Sequence, residues 1–355
     1  MRINRFELAS KLKSLKSITP PKGNDSVAGV LFDKGKLTAN NLDIAITTDI
    51  ETQSNDTFVI PVKAIELIEK MSDTDIDISL SGNKLIVKSS KGRSSFATSR
   101  AEDFPTVTEI ESSDIFEFES GEIFAEAVKS VMYACAVNSS RVTATGVLFE
   151  GDGEFLNIVA SDGRRIAWNK IPCEEKLNVI IPKTTLQKVL PFCTENAIKL
   201  YQSGNRAVFD VGQFNIFTKT ISGQFIKYQE VFAKNISDMT VTFSKHEALE
   251  IVSRALICAN DGELSSIKLE IEESISSIEA NSSTSDFHED IEILDGGENP
   301  IKIGFNPIFV TEILKNIAGD KAKISYSTPE TAIVVNPDEA LKHLLLPVRL
   351  KGENI

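Results

Sequence analysis

The strongest constraint in this sequence is an internal repeat with a period of about 121 residues. Three segments align on an alanine at the end of an apolar strand, just before a small polar turn: LTANNLDIAI from Leu37, IVASDGRRIA from Ile158 and IEANSSTSDF from Ile278. The prolines Pro61 and Pro182 keep the same spacing, and so do Phe104 and Phe225. Several landmarks at one period indicate tandem copies of a single structural unit.

This period predicts three modules, at residues 1–113, 114–234 and 235–355. In each module a helix-spaced apolar pattern is followed by alternating strands, then by a second helix that starts next to a proline, and then by more strands. The polar stretches EIESSD and KNISDM separate the modules. Two helices and about eight strands per module predict an α+β fold, with the helices on one face of antiparallel sheet.

Composition narrows the class of protein. A chain of 355 residues with 25% charged side chains is long enough for two or three domains. It has no apolar run of membrane-spanning length and no secretion signal at its start, so we expect a cytoplasmic protein without membrane contact. Scattered cysteines without a CxxC pair predict reduced thiols and no metal site; they are Cys135, Cys173, Cys193 and Cys258.

An enzyme is disfavoured by the absence of any catalytic pattern. The three histidines, His246, His288 and His343, lie far apart, and no HExxH, GxSxG or Walker sequence is present. Acidic pairs such as Asp75 and Asp77 fall on a predicted surface strand. We therefore predict no catalytic residues and no cofactor.

The stretch DGRRIAW from Asp162 is a hairpin signal, because Asp-Gly between two apolar runs favours a tight turn. A phosphate-binding loop would need more glycines and a following helix. The local prediction is a plain β-turn.

With this architecture, five phrases in register with the modules resemble the bacterial β sliding clamp family, the processivity subunits of DNA polymerase III, along the whole chain. They are FPTV from Phe104, GVLFE from Gly146, VASDGRRIA from Val159, KIGFN from Lys302 and LPVRL from Leu346. The resemblance implies a head-to-tail homodimer whose six modules form a ring around double-stranded DNA without sequence preference. It also implies a nucleoid-associated location, no catalysis, and partners that dock through short linear motifs: the polymerase III alpha subunit, the clamp-loader delta subunit, other polymerases, ligase and mismatch-repair proteins.

Helix dimensions agree with such a ring. Twelve helices at ~9 Å spacing give a circumference of ~110 Å and ~35 Å between opposite axes. Removing the helix radius on both sides leaves ~25 Å, which admits a duplex and a water layer. The net charge of −13 disfavours DNA binding when taken alone. It is only a sum, however, and lysines concentrate on the predicted helices.

The resemblance also implies roles for particular residues. The DNA-facing set is Lys11, Lys16, Lys22, Lys63, Asn138, Arg141, Lys183, Lys188 and Arg254. The dimer contact would involve Phe104, Val107, Ile257 and Cys258. A peptide-binding groove between modules 2 and 3 would be formed by Ala144, Ser161, Gly163, Arg164, Arg165, Ile166, Ile226, Val231, Asn306, Phe309, Leu344, Leu346, Pro347, Val348 and Arg349.

The groove departs from the family pattern at several positions. Leu346 and Val348 stand where the family often has methionines, and stiffer side chains adapt less readily to varied peptides. Arg164 replaces a common histidine, and Glu230 stands where a basic residue can occur. KGENI extends the chain beyond the usual terminal leucine. Apart from an enzyme, the alternative to a clamp is a three-module scaffold protein that does not encircle DNA.

Overall fold

A computed structural model describes residues 1–19, 28–107, 110, 114–259, 265–272 and 276–350. The chain divides into two compact units. Unit 1 comprises Met1–Ala125 and Thr184–Thr220, and unit 2 comprises Glu126–Lys183 and Ile221–Ile355. The boundaries of the three modules stay a prediction.

The described residues form seven α-helices and 25 strands. The helices are α1 (Arg5–Lys16), α2 (Val62–Lys70), α3 (Gly121–Met132), α4 (Lys183–Val189), α5 (Tyr228–Asn235), α6 (Lys245–Cys258) and α7 (Pro307–Asn316). The first sixteen strands are β1 (Arg2–Asn4), β2 (Gly29–Asp33), β3 (Lys36–Asn40), β4 (Ile44–Asp49), β5 (Thr57–Pro61), β6 (Asp75–Ser81), β7 (Lys84–Lys88), β8 (Arg93–Ala97), β9 (Asp114–Phe118), β10 (Gly146–Asp152), β11 (Phe155–Ser161), β12 (Arg165–Pro172), β13 (Lys176–Pro182), β14 (Ile198–Ser203), β15 (Arg206–Val211) and β16 (Phe214–Lys219). The others are β17 (Thr240–Ser244), β18 (Ile267–Ile271), β19 (Ser276–Asn281), β20 (Asp286–Ile291), β21 (Ile293–Gly296), β22 (Ile301–Phe305), β23 (Lys321–Ser325), β24 (Ile333–Val335) and β25 (Lys342–Leu345).

The order of elements repeats three times along the chain. One strand, one helix, four strands, one helix and three strands occur from β1 to β8 and again from β9 to β16. The third copy, from β17 to β25, adds only the short strand β21, and α5 lies between the second and third copies. The predicted α+β fold of three repeated units is therefore confirmed.

Unit 1 contains two antiparallel sheets, of strand order β1-β6-β7-β8 and β5-β2-β3-β4-β16-β15-β14-β9. The pairing of β4 with β16 joins the first and second copies, with Ile46 opposite Ile216. Helix α1 is capped by Asn4, whose side chain accepts hydrogen bonds from two backbone amides of the first turn. Helix α1 buries Leu8 and Leu12 completely, as its apolar spacing predicts.

Unit 2 has the corresponding arrangement, with sheets ordered β13-β10-β11-β12-β25-β24-β23-β17-β21 and β20-β19-β18-β22. Strands β12 and β25 join the second and third copies, with Ala167 opposite His343. The core of the third copy includes Phe243 and Ile251 and encloses an apolar cavity of about 60 Å³. Within the described residues no helix is long and apolar enough to cross a bilayer.

Candidate functional site

The turn between β11 and β12 is built by two polar side chains that bond back to the backbone. Ser161 Oγ accepts a hydrogen bond from Gly163 N at 3.1 Å. Asp162 Oδ1 accepts from Arg164 N at 2.9 Å and Arg165 N at 3.0 Å. Gly163 has φ +88°, in the left-handed region that glycine adopts without strain. The predicted hairpin at Asp-Gly is confirmed.

Arg165 ties this turn to the third copy of the repeat. Its side chain is 6% exposed, with Nε 3.0 Å from Asp162 Oδ2 and Nη1 2.5 Å from Glu312 Oε2. Its guanidinium also lies 4.2 Å from the centre of the Phe309 ring, a cation–π distance. These groups occupy the guanidinium, so the side chain connects the turn to α7; its role in peptide binding stays a prediction.

A buried tyrosine–histidine pair continues this connection. Arg165 Nη2 donates a hydrogen bond to the Tyr133 carbonyl oxygen at 3.3 Å, and Tyr133 Oη lies 2.8 Å from His343 Nδ1. His343 is fully buried, and that burial lowers its pKa to about 3. The imidazole is therefore neutral at physiological pH.

The C-terminal segment runs past the turn and along the next sheet. Leu346 N donates to Arg164 O at 2.9 Å, and Val348 N donates to Gly304 O at 2.8 Å. Leu346 is 43% exposed although it is apolar. The segment thus presents an apolar side chain beside the turn.

Two cavities share the segment Phe225–Ile226 as part of their lining. The first, of about 310 Å³, is lined by the predicted groove residues Ala144, Ser161, Gly163 and Ile226, together with the loop Ser139–Arg141. The second, of about 290 Å³, is lined by Leu148, Glu150, Asn178, Ile180 and the segment Gly223–Glu230. Both cavities are lined by polar and apolar side chains.

The second cavity is bordered through Tyr228 by an aromatic cluster around Trp168. The rings of Tyr228 and Phe232 on α5 lie 4.9 and 5.3 Å from the Trp168 ring, edge-on. Val231 of α5 and Ile166 of β12 belong to the same apolar cluster. Tyr228 Oη donates to Glu150 Oε2 at 2.6 Å. Burial raises the pKa of Tyr228 most, and the hydrogen bond to the Glu150 carboxylate raises it further.

The remaining predicted groove residues have varied surroundings. Asn306 is 6% exposed and caps α7 through Oδ1, 2.9 Å from Ile308 N. Leu344 is buried in the cluster around Trp168, whereas Pro347 and Val348 are half-buried. Arg164 and Arg349 are exposed. Lys227 Nζ donates a hydrogen bond to the Glu230 carboxylate at 2.9 Å. This contact lowers the pKa of Glu230, and the lysine offsets the negative charge of the carboxylate.

The predicted DNA-facing residues differ in how much of their charge is available. Lys16 lies 3.2 Å from Glu66 and Arg254 lies 2.7 Å from Glu289, so both charges are partly neutralised. Lys11 bonds the Asp49 carbonyl and lies 3.5 Å from Glu7, and Lys188 donates to Ser17 O at 3.0 Å. Lys63, Asn138 and Arg141 are exposed, Lys183 is half-buried, and Lys22 lies outside the described residues.

Of the four predicted dimer residues, Ile257 presents the largest apolar surface. It is 83% exposed at the end of α6, next to the half-buried Cys258. Val107 is half-buried. Phe104 is only 4% exposed, so its ring is already packed within its own protomer.

Sequence reasoning missed Glu312, Tyr133 and Phe225. The first two act through partners distant in sequence, and no motif marks them. Phe225 carried a signal, since it keeps the repeat spacing with Phe104, but that spacing does not indicate a cavity wall. Among the described residues there is no cluster of three metal-ligating side chains, and the four cysteines are free.

The fold and the site together define a repeated-module protein of the DNA-clamp class. Family models match two parts of the chain: the central domain of the DNA polymerase III beta subunit at residues 120–227 and its C-terminal domain at residues 230–349. These matches together span more than half of the sequence. The chain belongs to the DNA polymerase III beta subunit family.

Individual relatives agree with this assignment. A beta sliding clamp of Pseudomonas aeruginosa is 28% identical over 79% of this chain and 77% of its own length. One from Proteus mirabilis is 24% identical over 97% and 99%. Among solved structures, the Pseudomonas aeruginosa subunit has a TM-score of 0.91 at 21% identity, covering 99% of this chain and 100% of its own. The Thermotoga maritima subunit has a TM-score of 0.86 at 24% identity, covering 98% and 99%.

Proposed function

We propose that this protein is a non-catalytic processivity clamp, which closes as a head-to-tail homodimer around duplex DNA and holds replication and repair proteins on it. The family assignment supports the role. Partner proteins would be the polymerase III alpha subunit, the clamp-loader delta subunit, other polymerases, ligase and mismatch-repair proteins. The site of action would be the cytoplasm, at the nucleoid.

The observation that carries the ring is a strand pairing used twice within the chain. In both joints the third strand after a module's first helix pairs with the last strand of the following module, as β4 with β16 and β12 with β25. Strand β20 is the third such strand, and it lies at the edge of its sheet. Strand β8 is the last strand of the first copy and is also an edge strand.

Pairing β20 of one protomer with β8 of its partner would make the third joint and remove both exposed edges. In the first joint Ile46, which matches Phe287 in the repeat, lies opposite Ile216. The pair Val87–Ser94 in the first copy matches the pair Phe209–Ile216 in the second, so Ser94 corresponds to Ile216. If the third joint keeps this register, Phe287 would lie near Ser94 of the partner subunit. The strand β20 carries Asp286, Glu289 and Asp290, and the turn before β8 carries Lys91. Opposite charges on the two edges favour pairing between copies over pairing of like edges.

The decisive experiment compares retention on nicked circular DNA and on the same DNA after linearisation. After loading by the clamp-loading complex, we expect the protein to stay on the circle at high salt and to leave the linear molecule from its ends. Equal release from both forms would favour the scaffold alternative, because only enclosure depends on DNA topology.

The dimer contact has its own test. Ile257→Asp places a charge in a surface that the proposal buries, and we expect sedimentation to show monomers at concentrations where the wild type is dimeric. Val137→Asp is the matched control, because Val137 is 84% exposed in a loop outside the proposed joint. A dimer that survives Ile257→Asp contradicts the assignment.

Contact with DNA is proposed to be weak phosphate attraction, which permits sliding. Lys63→Glu combined with Lys183→Glu reverses two charges on predicted inner helices, and we expect faster loss from circular DNA with a smaller salt dependence. Lys84→Glu, on an exposed strand end, is the control. Equal retention of all three proteins would remove these lysines from the DNA face.

The groove is proposed to bind linear peptides with apolar anchors and a glutamine head. Leu346→Asp should weaken the binding of such a peptide at least tenfold. Binding is measured by the change in fluorescence of Trp168, the single tryptophan. Leu294→Asp is a matched control, since Leu294 is 42% exposed and Leu346 is 43% exposed. Unchanged affinity in Leu346→Asp would place the peptide elsewhere.

A further inference from the structure

The turn between β3 and β4 reproduces the turn of the proposed groove. Asn40 Oδ1 accepts from Leu42 N at 2.8 Å. Asn41 Oδ1 accepts from Asp43 N at 3.1 Å and from Ile44 N at 2.8 Å. The second copy of the repeat makes the same bonds, residue for residue, in the turn before β12. The two joints therefore share one backbone geometry.

The residue at the bend distinguishes the two copies. Gly163 has φ +88° and Leu42 has φ +80°, so both occupy the left-handed region. Glycine does so freely, whereas a leucine is strained there. Leu42 is also 57% exposed, so no burial of its side chain offsets the strain. Strained, exposed apolar residues concentrate at binding surfaces.

Leu42 borders a cavity of about 130 Å³ within unit 1. Its apolar walls include Leu42 and Phe217, its basic walls are formed by Arg206 and Lys219, and Asp43 also lines it. Both cations are exposed, and within the part of the chain that the structure describes neither has a carboxylate within 4.0 Å. The cavity thus combines an apolar surface with two positive charges and one carboxylate, so its walls carry a net positive charge.

Strand register shows how this surface diverged from the groove of unit 2. Lys219 stands where the second joint has Leu346, and Arg206 stands where it has Ala332. Two positions that are apolar in the second joint are cationic in the first, although the backbone bonds of the turn are the same in both. A ligand of this surface should therefore carry negative charge where a ligand of the other groove carries an apolar anchor.

We propose that this cavity is a second docking surface, for a short extended segment of a partner protein that places a carboxylate side chain beside an apolar one. The carboxylate binds between Arg206 and Lys219, and the apolar side chain packs against Leu42 and Phe217. The inference rests on the proposed function only through the analogy with the peptide groove.

The test uses the full chain and a biotinylated nonapeptide of two glutamates, two leucines, one photoreactive benzoylphenylalanine and four serines. After irradiation, we expect mass spectrometry to find cross-links at 40–45 and 217–219. Arg206→Glu with Lys219→Glu should weaken binding at least tenfold, whereas Lys70→Glu with Lys84→Glu, reversing two exposed lysines elsewhere, should change it less than twofold.

Two further variants separate this site from the groove and from folding. Leu346→Asp changes only the groove of unit 2 and should leave the cross-links at 40–45 in place. If the groove proposal alone is wrong, these cross-links should therefore still form. Leu42→Gly should weaken peptide binding at least threefold while its unfolding midpoint stays equal or rises, because the strain is relieved. Cross-links confined to 163–166 and 344–348, or unaffected by the Arg206 and Lys219 reversals, would overturn the proposal.

Discussion

Replacing Arg165 by methionine tests whether the turn of the groove is held by its link to α7. Methionine keeps most of the length and apolar volume of the side chain but removes the guanidinium. Asp162 then loses its charge partner at 3.0 Å, and Glu312 loses its partner at 2.5 Å. We expect the turn to remain formed, since its backbone bonds do not need Arg165, but to lose its attachment to the third copy.

The magnitude follows from the exposure of the two carboxylates. Removing one member of a fully buried pair costs about 3–5 kcal/mol. Asp162 is 15% exposed and Glu312 is 39% exposed, so water recovers part of the loss. We expect a cost near the lower end, about 3 kcal/mol. For a unit of this size each kcal/mol lowers the melting midpoint by about 2–4 °C, which gives a shift of about 6–12 °C.

The assay is thermal unfolding followed by the fluorescence of Trp168, which lies in β12 and reports on unit 2. The matched control is Arg164→Met, because Arg164 is the adjacent arginine and its side chain is exposed. Surface substitutions of this kind change stability by about 0.5 kcal/mol or less, so its midpoint should move by at most about 2 °C. Equal midpoints for the two variants would refute the reasoning that Arg165 anchors the turn.

Three further predictions concern unit 2 and use the same fluorescence midpoint. Ala322→Val fills part of the 60 Å³ cavity and should stabilise by about 1 kcal/mol, whereas Ala167→Val, which lines no such cavity, should destabilise by about 1–3 kcal/mol. Burial lowers the pKa of His343 to about 3, so the unfolded chain binds a proton that the folded one excludes, and stability should fall by about 1.4 kcal/mol per pH unit from pH 6 to 4. His343→Gln should remove that slope, and an unchanged slope would contradict it. The hydrogen bond from Lys302 lowers the pKa of Glu270 to about 2, so its contribution, on the order of 3 kcal/mol, is complete above pH 4.5 and lost as the pH falls to 2. Glu270→Gln should lower stability at pH 7 and flatten the curve in that acid window, and a parallel curve would count against the ion pair.

Local signals made part of the fold predictable. The hairpin at Asp162 needs only a short acceptor and a glycine, both adjacent in sequence. The helix at Pro307 follows from a capping asparagine and a proline in the first turn. In contrast, α5 falls near the predicted joint and has no periodic apolar pattern, since it is only eight residues long. Its stability comes from packing of Tyr228 and Phe232, which the sequence alone does not reveal.

The sequence indicated candidate site residues, whose roles stay a prediction, but it did not indicate their interactions. The guanidinium of Arg165 binds Glu312, which is 147 positions away in the sequence. The guanidinium of Arg254 binds Glu289 on β20. Spacing and residue type indicate which positions gather at a site. They do not reveal which carboxylate pairs with each cation, because that depends on strand register across segments distant in sequence.

The third copy of the turn links these observations to assembly. Ser282 Oγ accepts from Thr284 N at 3.3 Å and Ser285 N at 3.1 Å, the same two bonds that Asn41 and Asp162 make in the other copies. In the first two copies the strand after this turn pairs with the end of the next module. After Ser282 that strand is β20, which lies at the edge of its sheet. Because these two bonds recur in all three copies, the proposed joint takes the partner strand of β20 from a second chain. The first two joints differ in charge although their backbones agree, so the side chains at the strand ends, rather than the fold, would decide what each joint binds.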